Sequence, residues 1–125
     1  MKTVLIIDTD LGFVFWLGQA LLEGGYNALP AKGVPEAKAL LSELEAETDL
    51  LIVNPCLAGA ADLIDALRAS NVELKVLALR GEQDLSAAKI PCPDASIRKP
   101  LRPDRIASSL WLRTVEQLLA RKRTA

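Results

Sequence analysis

Three runs of four consecutive apolar residues punctuate the chain: Val4-Leu5-Ile6-Ile7, Leu50-Leu51-Ile52-Val53 and Val76-Leu77-Ala78-Leu79. Each stops abruptly at polar or turn-forming residues: Asp8-Thr9-Asp10, Asn54-Pro55 and Arg80-Gly81. A run that is apolar at every position predicts a strand covered on both faces, as in the middle of a parallel sheet. Ala28-Leu29 and Ala95-Ser96-Ile97 are weaker runs, and predict strands nearer the sheet edges.

Helical spacing fills the intervals. Phe13, Trp16, Leu17, Ala20 and Leu21 recur with the period of a helix that Gly24-Gly25 stops. Pro35 suits a first helical position and is followed by Ala37, Leu40, Leu41 and Leu44. Leu63, Ile64 and Leu67 make a third helical stripe, while Glu82 to Lys89 is short and weakly patterned. Pro103-Asp104 opens a long final helix through Arg121, with proline and an acid where a helix N-terminus favours them. Strands alternating with helices predict five βα units. The fold class is α/β, a (βα)5 doubly wound parallel sheet in the flavodoxin-like order 2-1-3-4-5. Without repeats or linkers, residues 1–125 read as a single domain.

Composition narrows the chemistry. The 125 residues are half apolar and a quarter charged, with a net charge of −1, so the chain is not a globally basic nucleic-acid binder. Histidine is absent, which excludes Ser/His/Asp and Cys/His catalysis and any phosphohistidine relay. Cys56 and Cys92 are too few for a disulfide scaffold and read as small packing residues. With no signal peptide and no apolar run long enough to span a bilayer, the expected location is the cytoplasm, with no membrane contact. No glycine-rich phosphate loop follows the first strand, and no cofactor is expected. Arg121-Lys122-Arg123 reads as a solvated helix end.

In a sheet of this order, chemistry sits outside the carboxyl ends of the strands. That edge carries Asp8, Thr9, Asp10, Asn54, Arg80 and Lys99. Arg98-Lys99-Pro100-Leu101 after the last strand resembles the lysine-proline motif of response-regulator receiver domains (the CheY-like family). Val4 to Asp10 resembles that family's first strand with its acidic ending, and Asp49 to Asn54 its third strand. The resemblance covers nearly the whole chain. It implies a pocket in which two acids, a phosphoacceptor aspartate, a small hydroxyl residue and a lysine handle a phosphoryl group with Mg²⁺.

The departures decide the expected chemistry. Among the family's positions only Asp8 and Lys99 match. Thr9 stands where the second acid is expected, Asn54 at the phosphoacceptor, Arg80 at the hydroxyl residue and Ser96 at the aromatic switch position. An amide is a poor nucleophile and forms no acyl phosphate. Mg²⁺ prefers carboxylates in octahedral oxygen geometry, so no metal site is expected. Asp8, Thr9, Asn54, Arg80 and Lys99 thus read as a degenerate phosphoacceptor pocket without catalytic residues. Asp8 is expected to pair with Lys99, and Arg80 either joins them as a second cation or points to solvent.

The expected function is that of a pseudo-receiver: a phosphorylation-independent interaction and dimerisation module in signal transduction, with an unidentified signalling partner. Val14, Phe15 and Leu22 on the first helix, and Trp111, Leu112, Val115 and Leu119 on the last, form a second apolar stripe besides the core face, where Ile106 and Leu110 are placed. The resemblance implies a homodimer through the final helix, with Trp111 as anchor. A second reading is a small DxD-type phosphohydrolase. In it Asp8 is the nucleophile, Asp10 the general acid and Lys99 the phosphate-binding lysine.

Overall fold

A computed structural model describes residues 2–44, 47–80, 94–98 and 104–120. The elements follow in the order β1 (Thr3–Ile7), α1 (Leu11–Glu23), β2 (Asn27–Ala31), α2 (Val34–Leu44), β3 (Leu50–Val53), α3 (Ala60–Ser70), β4 (Lys75–Arg80), β5 (Ala95–Arg98) and α4 (Arg105–Ala120). All pairings are parallel, and the sheet has the order β2-β1-β3-β4-β5. The weakly patterned stretch from Glu82 to Lys89 lies outside the described residues.

The apolar runs do what their patterning requires. Alternate residues of each central strand point to opposite faces. Leu5, Ile7, Leu51, Val53, Val76 and Ala78 meet α2 and α3 in one core. Val4, Ile6, Leu50, Ile52, Leu77 and Leu79 meet α1 and α4 in the other. A strand sealed on both sides has no room for a polar residue until it ends. The first polar side chains therefore emerge together at the carboxyl edge.

Local chemistry fixes the ends of the elements. Asp10 caps α1, its Oδ1 accepting from Phe13 N–H at 3.2 Å, and Gly24 closes the helix with its N–H on Ala20 O. Asp104 caps α4 by accepting from Ala107 N–H at 2.8 Å. Gly59 precedes α3 with φ +82°, a conformation in which any Cβ is strained. On the edge strand β2, Asn27 N–H donates to Lys2 O, and Ala31 O accepts from Asp8 N–H. The odd-numbered backbone groups of β2 thus face β1, while Pro30 faces the free edge.

Candidate functional site

Asp8 follows β1 and Asn54 follows β3, and the pairing of these two strands brings them side by side. Asp8 is fully buried, at 0% exposure. Its Oδ1 accepts a hydrogen bond from Asn54 Nδ2 at 3.0 Å and another from Thr9 N–H at 2.8 Å. Asn54 Oδ1 accepts from Cys56 N–H at 2.9 Å. That bond fixes the orientation of the amide, because only its oxygen can take the backbone hydrogen; the NH₂ group must then face Asp8. The Asn54 backbone is also tied down, with its N–H on Ile7 O at 3.1 Å and its carbonyl accepting from Leu57 N–H at 3.2 Å. One side chain thus joins the ends of β1 and β3 and the loop beyond β3.

The other expected pocket residues fall as follows. Thr9 is exposed beside Asp8. Arg80 closes β4, paired in register with Arg98 of β5. Ser96 is exposed on β5, in register with Ala78. The Arg80 side chain and the whole of Lys99 lie outside the described residues. So does Cys92, while Cys56 is exposed with a free thiol. Asp10, the candidate general acid of the DxD reading, has its carboxylate engaged as the cap of α1.

The resemblance implies a divalent cation here, and the residues present do not fit one. Asn54 turns hydrogens, not a lone pair, toward the carboxylate that a metal needs. Among the described residues no group of three or more His, Cys, Asp or Glu side chains converges. The amide sits where positive charge is required and supplies it as partial charge on N–H.

Solved structures match this architecture over nearly the full chain. A response regulator from Thermotoga maritima superposes with a TM-score of 0.73 at 24% identity, covering 97% of this chain and 99% of that one. A protein from Chloroflexus aurantiacus described as a response regulator gives 0.69 at 25% identity, with 96% and 98% covered. A response regulator receiver protein from Burkholderia phymatum gives 0.71 at 20% identity over the whole of both chains. The chain has the fold of CheY-like receiver domains. No protein-family model matches the sequence, and no curated protein matches it significantly.

Two expectations about the surface are corrected. Trp111 and Val115 are buried, as is Leu118, so the stripe assigned to a dimer contact is the core face of α4. Trp111 packs edge-on against Phe13, with ring centroids 5.7 Å apart, while Leu112 and Leu119 are half-buried against the same core. Ile106 and Leu110, assigned to the core, are 73% and 54% exposed. The physical reason is size: the larger stripe buries more apolar area against the sheet and α1. On α1, Val14 is likewise core, sharing the cluster with Leu17 and Leu21, whereas Phe15 and Leu22 are exposed as expected. No helix among the described residues is long and apolar enough to cross a membrane.

Proposed function

We propose that this receiver domain works without phosphorylation, residues 1–125 acting as one interaction module that self-associates through its final helix in cytoplasmic signal transduction. The observation that carries the reading is the hydrogen bond from Asn54 Nδ2 to Asp8. Receiver phosphorylation needs a carboxylate oxygen to attack phosphorus while a cation neutralises the surrounding oxygens. At the acceptor position this chain offers an amide, and that amide already satisfies the remaining buried acid. The pocket is held together as a phosphorylated pocket would be, by positive charge against Asp8, but the charge is built into the chain.

With the chemistry removed, output has to come from surfaces. The outer face of α4 supports that role: Ile106 and Leu110 lie exposed in a shallow hollow of about 340 Å³, flanked by Arg105 and Arg113. The DxD reading gains no support, because both of its acids are occupied by internal hydrogen bonds.

The test is intact-protein mass spectrometry after incubation with acetyl phosphate and Mg²⁺. No phosphoryl adduct is expected, and the solution mass is expected to be the same with and without treatment. An adduct at any level of turnover defeats the reading.

A further inference from the structure

An asparagine side chain in a protein ages. The backbone nitrogen of the next residue attacks Cγ and loses its proton, ammonia leaves, and the cyclic imide takes up water to give aspartate or isoaspartate. Three groups speed the exchange: the attacking N–H, a donor to the charge growing on Oδ1, and an acid or base beside the departing nitrogen.

The chain has three asparagines, Asn27, Asn54 and Asn71. At Asn54 the pocket itself supplies two of these groups. Cys56 N–H donates to Oδ1 at 2.9 Å, where the oxyanion forms. The Asp8 carboxylate accepts from Nδ2, the nitrogen that departs, at 3.0 Å. The attacking group is missing, because the next residue is the buried Pro55, which has no N–H. Asn71 is the converse case. Glu73 N–H donates to its Oδ1 and Val72 offers an N–H, but its Nδ2 meets the Thr48 carbonyl and not an acid. A second route, attack of Nδ2 on the carbonyl carbon of Asn54 itself, cuts the chain before Pro55. It requires the amide to turn, and the bonds to Asp8 and Cys56 oppose that turn from both ends.

We propose that Pro55 is the residue that keeps this pocket an amide. The two contacts that hold Asn54 against Asp8 also favour the loss of ammonia, and the product sets a carboxylate against a buried carboxylate. Proline at position 55 withholds the one atom that starts the reaction. This role rests on the reading of Asn54 given above, and extends it from geometry to time: the state of the pocket does not drift as the protein ages.

Ageing the full chain tests the proposal. Wild type and Pro55→Gly are held at mildly alkaline pH for weeks, with circular dichroism confirming that both are folded. Digestion and mass spectrometry then score each asparagine. In Pro55→Gly, conversion of Asn54 is expected to run roughly tenfold or more ahead of Asn27 and Asn71 in the same molecules. In wild type Asn54 is expected to stay intact. The aged variant is expected to unfold at lower urea than the fresh one, because it has become an Asn54→Asp chain. Pro55→Ala restores the N–H without the freedom of glycine and is the second variant. Wild type held unfolded in guanidinium chloride needs no variant: Asn27 and Asn71 are expected to convert there, and Asn54 to persist. If Asn54 is as durable in both folded variants as in wild type, the fold and not the proline protects it, and the proposal is overturned. Conversion of Asn54, or cleavage before Pro55, in the folded wild-type chain overturns it too. A phosphoryl adduct on freshly prepared wild type defeats the reading of the pocket and leaves the chemistry of Pro55 standing.

Discussion

Asp8 sits in the sheet with no access to water, so its negative charge has to be answered by groups the chain itself supplies. Asn54 Nδ2 and Thr9 N–H do so at 3.0 and 2.8 Å. Asn54→Asp is therefore a demanding substitution, although it adds no atoms beyond the exchange of NH₂ for oxygen. It deletes a donor to a buried charge and sets a second carboxylate against the first. The expected loss is about 2–3 kcal/mol, read from urea unfolding at neutral pH. The identities of Asp8, Thr9 and Asn54 as pocket residues were legible in the sequence, from their position just after apolar runs. Their pairing was not. Charge counting pairs Asp8 with Lys99, which lies outside the described residues, because a formal cation is visible in a sequence and the direction of an amide is not. That direction depends on Cys56 N–H, a backbone group that no residue type announces.

The final helix shows what patterning leaves open in an element. The α4 sequence holds Ile106 and Leu110 on one side and Trp111, Val115 and Leu118 on another. Period alone finds both stripes and ranks neither; packing chooses the one that meets Phe13 and the sheet. Trp111→Ala is accordingly expected to cost about 3–5 kcal/mol by denaturant unfolding, whereas Leu110→Ala is expected to cost little. Trp111→Glu is expected to unfold the chain, not to release a soluble monomer. The same helix sets the titration of Tyr26, just beyond the end of α1. Burial and, next, the Glu116 carboxylate raise the phenol above its ordinary value of 10.0. A raised value means that the folded state favours the neutral phenol. Its contribution is complete below pH 10 and is lost as the pH climbs through the raised value. Glu116→Gln is expected to move the ultraviolet titration of Tyr26 back toward the ordinary phenol, which absorbance near 295 nm checks.

Across the whole molecule the central strands followed from hydrophobic runs, since a strand covered on both faces is apolar at every position, and their order followed from right-handed crossovers. That order brought the ends of β1 and β3 together and so assembled the pocket. It left unspecified which helix faces point outward, since that depends on how each helix rotates as it settles on the sheet. The proline of β2 bears on how copies of the chain can meet. With no hydrogen to offer on the outer rim, Pro30 denies incoming backbone one of the anchor points on which strand-by-strand accretion depends. Growth on that side is steered away from amyloid-like stacking.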